Sequence, residues 1–381
     1  MAQRLRPNLK DDPPSPEKYY AFVIPIVDRK ATEVFPTLTY LFDGDSTPDD
    51  RTTNIYKNVN QGHNFKCLNE GSNSLGADPP TPQPQPQPQP QPTPTPPSPS
   101  GDHVITVTLW HVTKDDLEHD KDYPHFFSNS CKALCANETK YRLTQHFSLW
   151  EHYVNEIDKS KQQKTPPPPD PENEFVIIVE DDNTVLKPEL LKPLIMAMKS
   201  QKIDIIQFGD TVTAPGLSPI NLTLLVQNPP IYGYVGGIDF SLSAYIVRLS
   251  ALYGIYKNII NTGGSSAGLS FEISKIESEL NLTRYVVSNP SEILRHEPYY
   301  VIQKRLGGMS GCFWQKLGLW LSKWYPKLVY FSTTPIFSIM GLFDVNVVDI
   351  IILIYIAFLI IFYVRSPFLW FIAGLLLTAI I

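Results

Sequence analysis

The apolar positions of this chain fall in short blocks that alternate between two spacings. Ala21 to Val27 and Val104 to Trp110 read as strands, and Phe175-Val176-Ile177-Ile178 is a continuous apolar run of the kind a buried parallel strand carries. Ile203 to Phe208, Leu242 to Val247 and Arg284 to Val287 add three more strands. Between these blocks the spacing changes to three and four. Leu143, Phe147, Trp150, Val154 and Ile157 mark an amphipathic helix over Lys140 to Asp158. Leu186 to Met198 also reads as helical, with Pro188 near its first turn and Pro193 forcing either a kink or a later start. A helix-like stretch runs from Lys30 toward Phe42, Tyr234-Val235-Gly236-Gly237 reads as a turn, and two helices flank Gly263-Gly264. The alternation predicts an α/β domain on a mainly parallel sheet covered on both faces.

Two stretches interrupt the pattern. Within residues 77–101, Pro79 to Ser100 alternates Pro with Gln or Thr and carries no aliphatic or aromatic side chain, so it buries too little to offset its ordering entropy and reads as a solvated spacer. Residues 161–173, with Pro166 to Pro169 consecutive, form a second flexible insertion. Residues 1–18 are polar, lack the apolar core of a secretory signal and read as disordered. The organisation expected is a folded body over 19–310, an amphipathic region over 311–345 and an apolar end over 346–381.

That apolar end changes the picture most. Val347 to Val364 holds one charge, Asp349, and at about 1.5 Å per residue it is just long enough to cross a ~30 Å hydrocarbon core. Arg365-Ser366-Pro367 interrupts before Phe368 to Ile381. Ahead of it, Phe313, Trp314, Leu317, Trp320, Leu321 and Trp324 recur at helical spacing among Lys316, Lys323 and Lys327, a pattern that suits the headgroup layer or, alternatively, a last core helix. The expectation is a C-terminal transmembrane or hairpin anchor, with the body on the cytosolic face because the lysines and arginines precede the first apolar run.

The net charge of −6 and the lack of a basic stripe give no reason to expect nucleic acid. Cys67, Cys131, Cys135 and Cys312 are too scattered for a disulfide framework and read as thiols in a reducing compartment. Three Asn-X-Thr sequons, at Asn137, Asn221 and Asn281, matter only in a luminal domain.

The strongest chemical signal is Val179-Glu180-Asp181-Asp182, directly after the Phe175 strand. Three carboxylates where a buried strand runs out repel one another unless a cation neutralises them, and their hard oxygens suit Mg²⁺ or Mn²⁺. A solvated acidic turn is the plain alternative.

Taken in order, these segments resemble glycosyltransferase family 25, the lipooligosaccharide and procollagen galactosyltransferase-like enzymes. Leu143 to Trp150 is similar to that family's SHxxxW-type helix, Val176 to Asp182 to its EDD strand, Asp204 to Gly209 to its "wDiv.lg" segment, Ser243 to Val247 to its "aYivs" strand, and Val23 to Arg29 to its "inLdrr" start. The likeness covers roughly residues 20 to 300, discontinuously. The chain departs from it at Gln145, where the family has Ser, and at Glu272, where the family often has Asp. Proline-rich inserts without a signal peptide also resemble enzymes of large DNA viruses, which would place the protein at a host cell membrane.

The resemblance implies a GT-A-like fold and a metal-assisted, inverting transfer of sugar from a nucleotide-sugar donor, a UDP-sugar, to a protein or glycan hydroxyl. Asp182 and Glu180, with His296, would hold Mn²⁺ or Mg²⁺; Asp181, Arg29 and His146 would line the donor site; Glu272 or Asp239 would be the base. Two other classes remain open. A metal-dependent phosphohydrolase or nuclease would add Asp204 and Asp210 to a two-ion site, and a catalytically inactive, membrane-bound structural protein would keep a transferase-like fold without the chemistry.

Overall fold

The computed structural model describes residues 17–36, 103–110, 112, 119–162, 170–209, 219–223, 230–236, 242–307, 312–339 and 343–377. The Pro-Gln tract, Asp210 and Asp239 lie outside the described residues, as does the continuation toward Phe42 of the helix-like stretch, which is helical only over α1, Ala31–Val34.

Chain order begins with β1 (Glu17–Ile24), α1, β2 (His103–Leu109), the short α2 (His119–Asp122), α3 (Asn129–Leu134) and the long α4 (Asn137–Gln162). Then come β3 (Phe175–Glu180), β4 (Asn183–Val185), α5 (Leu191–Gln201), β5 (Ile205–Gln207), β6 (Ile220–Asn221), β7 (Tyr232–Val235) and β8 (Ala244–Arg248). The body closes with α6 (Leu249–Asn261), α7 (Leu269–Ile276), β9 (Arg284–Val287), β10 (Leu294–His296) and α8 (Pro298–Gly307). Pro193 falls in the first turn of α5, so the helix starts late rather than kinking.

Among the described residues eight strands form one sheet in the order β2-β1-β3-β8-β5-β9-β7-β6. β3 lies inside it and is buried along its whole length. Val176 and Ile178 face one core with Phe147, Trp150 and Tyr245, whereas Phe175, Ile177 and Val179 face the other with Leu191, Leu194 and Met198. A strand buried on both faces needs apolar side chains at every position, which is why this run is continuous rather than alternating.

The sheet is mixed, not mainly parallel. β1 runs parallel to β2 and β3, and β5 to β9, but β8 is antiparallel to both β3 and β5, and β7 is antiparallel to β9 and β6. The expectation failed because a doubly buried strand has the same composition whichever way it runs. Of the predicted turn, Tyr234 and Val235 are strand, Gly236 takes a left-handed φ of 69°, and Gly237 lies outside the described residues. A Cβ on Gly233 would stand 2.7 Å from the Val286 carbonyl oxygen, so glycine is what lets β7 close on β9. Cys131 and Cys135 are joined in a disulfide rather than standing as thiols; a single turn at the end of α3 brings their Cα atoms to 4.6 Å.

Beyond the body lie α9 (Cys312–Trp324), α10 (Pro326–Thr333), the antiparallel pair β11 (Pro335–Ile339) and β12 (Phe343–Asn346), α11 (Val347–Ile361) and α12 (Pro367–Leu377). The expected transmembrane anchor is not formed. α11 begins at a capping box in which Asn346 and Asp349 exchange side-chain and backbone hydrogen bonds, which explains the lone charge. It ends at Ile361, where Phe362 caps the last turn and Tyr363 takes a left-handed φ of 48° that cannot continue the helix, and Pro367 then opens α12. Its 15 residues span about 22 Å at 1.5 Å each, and no helix among the described residues is long and apolar enough to cross a membrane. Tyr355 donates to the Leu369 carbonyl and the Trp370 indole to the Val364 carbonyl, holding α11 and α12 as a hairpin.

Candidate functional site

The acidic motif closes the C-terminal end of β3, and Glu180, Asp181 and Asp182 are all fully buried. Each is satisfied differently. Asp181 is a clamp on the segment that leaves β1: one carboxylate oxygen accepts from the Ile26 and Val27 backbone N–H groups at 2.6 and 2.9 Å, the other from that of Arg29 at 2.8 Å. Burial pushes the Asp181 carboxyl up to about 7 against the pull of those donors. Arg29 completes the clamp, donating to the carbonyls of Asp181 and Asn183 and to the Thr184 hydroxyl while its guanidinium lies 4.6 Å above the Tyr300 ring.

Glu180 meets two protein cations or donors. Arg142 on α4 forms a short ion pair with one oxygen, and His146 Nε2 lies 3.1 Å from the other. His146 in turn shares a hydrogen bond with the buried Tyr245 hydroxyl, which also accepts from the Trp150 indole. Asp182 accepts from the Asn183 amide at 2.6 Å, and its second oxygen stands 3.4 Å from His296 Nε2 and 3.8 Å from Arg142 Nη2. Burial works against its charge, but His296 and Arg142 hold the carboxyl below the usual range.

Arg142 thus stands between Glu180 and Asp182, where a metal ion would have to bind. It is held from behind by Glu138, which Arg305 of α8 also grips through two donors at 2.8 Å. Among the described residues no three His, Cys, Asp or Glu side chains are grouped to hold a metal ion, so this donor set does not fit Mn²⁺ or Mg²⁺. The like-charge repulsion inferred from sequence is real; a guanidinium resolves it.

Glu272 has other partners. Buried at the start of α7, it accepts from the Ser266 backbone and hydroxyl at 2.5 Å and from the Ala267 N–H at 3.0 Å, bracing the turn before its own helix. His296, at the end of β10, packs edge-on against Tyr330 of α10.

Arg142, Glu138 and Arg305 escaped the sequence reading. The signal was there: Glu138, Arg142, His146 and Trp150 recur every fourth residue, one stripe along α4 facing the strand end. Burial alone disfavours the Glu138 charge, but Arg305 and Arg142 lower its pKa to about 2. A folded-state pKa depressed from the ordinary 4.5 contributes stability above about pH 4.5 that is lost as pH falls through about 2. Glu138→Gln should therefore flatten the decline in urea stability between pH 5 and pH 2; an unchanged acid profile would remove Glu138 from the acid-sensitive set.

What this fold and site define is an α/β body whose acidic strand end is filled by its own arginine and histidine and fastens neighbouring segments together. The chain belongs to the poxvirus P35 protein family, which matches it over residues 12–381. It is 35% identical over 282 residues to envelope protein H3 of variola virus (isolate Human/India/Ind3/1967), covering 74% of this chain and 82% of that protein. It is likewise 35% identical to envelope protein H3 of vaccinia virus (strain Copenhagen), over 83% of that protein, and 26% identical over 274 residues to the immunodominant envelope protein p35 of fowlpox virus (strain NVSL).

These findings overturn the glycosyltransferase family 25 resemblance, the GT-A-like assignment and the enzymatic reading drawn from them. The relatives carry envelope-protein names and none is named a transferase. The motifs that suggested the enzyme are strand ends and helix faces whose residues are accounted for by packing and internal ion pairs. The viral source and the non-catalytic structural alternative fit the relatives better.

Proposed function

We propose that the protein is a non-catalytic component of a virion envelope, whose α/β body is held against the membrane by the surface of α9 to α12 without crossing the bilayer. The observation that carries this is where the large exposed apolar side chains lie. Among the described residues outside 312–377 they are few and scattered, whereas Ile351, Ile354, Phe358, Phe362, Phe368 and Phe371 of the α11–α12 hairpin are each half or more exposed. A patch of that extent marks an interaction surface rather than ordinary surface composition. Arg365, exposed at the turn of the hairpin, would be driven deep into hydrocarbon if the hairpin stood upright. Lying flat keeps it among the headgroups while the apolar faces enter one leaflet.

Full-length protein, exchanged from detergent into phosphatidylcholine vesicles, is expected to float with the lipid. Ile354→Glu with Phe358→Glu is expected to leave most of it in the lipid-free fraction while the melt of the body is unchanged. Wild-type protein that stays behind without lipid would rule the reading out.

A further inference from the structure

We propose that α9 reads the charge of the lipid surface and selects a leaflet rich in anionic phospholipid; this rests on the membrane reading above and adds the lipid class. Phe313, Trp320 and Trp324 lie on one face of α9, exposed by 63%, 57% and 69%. At 100° per residue Lys316 and Lys323 fall along one edge of that aromatic stripe, both exposed, and neither forms an ion pair among the described residues. The opposite face is fixed. Ser322 is buried, and at Gly318 a Cβ would come within 2.7 Å of Leu306 of α8, so the helix presses closely on the body and cannot roll its lysines away.

Indole and phenyl rings at headgroup depth with ammonium groups beside them match an anionic interface, the rings supplying depth and the lysines meeting phosphate or carboxylate. The charge distribution of the whole chain points the same way. Residues 308–381, beyond α8, hold four Lys and Arg against two Asp, a net +2. With −6 overall, residues 1–307 carry −8. An anionic leaflet therefore attracts the C-terminal face and repels the body, which fixes one orientation. A second copy of the chain is a poorer occupant, because two such faces would bring lysines against lysines.

The test compares full-length wild type with Lys316→Ser/Lys323→Ser on vesicles of phosphatidylcholine alone and with added phosphatidylserine. Each lysine close to an anionic surface is worth about fivefold in partition, so the pair is worth roughly 25-fold. Wild type is expected to favour the phosphatidylserine vesicles, and to lose that preference in 1 M salt, where screening shortens to about 3 Å. The double variant should bind both vesicles as wild type binds phosphatidylcholine, with an unaltered melt. Equal wild-type partition on the two vesicles overturns the charge reading while leaving membrane contact intact. No partition onto either overturns the membrane reading itself. A lipid-free dimer that Trp320→Ser/Trp324→Ser dissolves, with anionic preference untouched, would assign this face to a second copy and also overturn the proposal.

Discussion

Arg142→Met is expected to destabilise the folded protein by about 3–5 kcal/mol, the usual consequence of removing one partner from a buried ion pair. The loss comes less from the missing attraction than from what stays behind. Glu180 and Asp182 are fully buried, and without the guanidinium between them Glu180 keeps only His146 and Asp182 only Asn183 and His296. Equilibrium urea unfolding measures the effect. Adding Glu180→Gln to Arg142→Met should recover part of the loss, because a neutral amide needs no counter-charge, and that recovery separates electrostatic rescue from lost packing. If Arg142→Met unfolds within 1 kcal/mol of wild type, the guanidinium is not what neutralises the acidic strand end.

Asp181→Ala is expected to cost about 3 kcal/mol or more, since it takes the acceptor from three backbone donors at once and a buried donor left unmade costs roughly 1–3 kcal/mol. The effect should also be local. The amides of Ile26, Val27 and Arg29 are held by this side chain rather than by a neighbouring strand, so in the variant their hydrogen exchange should approach that of an open loop. The β1 amides bonded to β2 and β3 should remain protected. Uniform protection across residues 17–29 in the variant would show that the clamp is dispensable.

Both predictions concern the motif that also produced the wrong functional expectation. The acidic triplet was visible because carboxylates rarely follow a buried apolar strand, and their mutual repulsion correctly called for a cation. The choice between a bound metal and a guanidinium depends on a helix that begins more than forty residues earlier in the chain. Arg142 reaches Glu180 only because α4 packs Phe147 and Trp150 into the same core as Val176 and Ile178. Glu272 misled for a related reason. An acid near a helix start has the same sequence signature as a base or as a brace, and only its three bonds to Ser266 and Ala267 separate the two.

By itself the sequence determined the quantities that depend on local periodicity: where strands and helices alternate, which strand is buried on both faces, and where apolar side chains gather near the C-terminus. Hydrophobic spacing of two or of three and four acts within a single element, so it survives in one dimension. Tertiary structure decided what depends on partners distant in the chain. Strand direction followed from β8 entering between β3 and β5 in the reverse sense, and the fate of the acids followed from Arg142, Arg305 and His296 converging from three separate elements. The C-terminal apolar stretch obeyed the same division. Its hydrophobicity and its break at Arg365-Ser366-Pro367 were plain in the residues, whereas the first helix's early end at Ile361 and its pairing with the second through the Tyr355 and Trp370 hydrogen bonds were not.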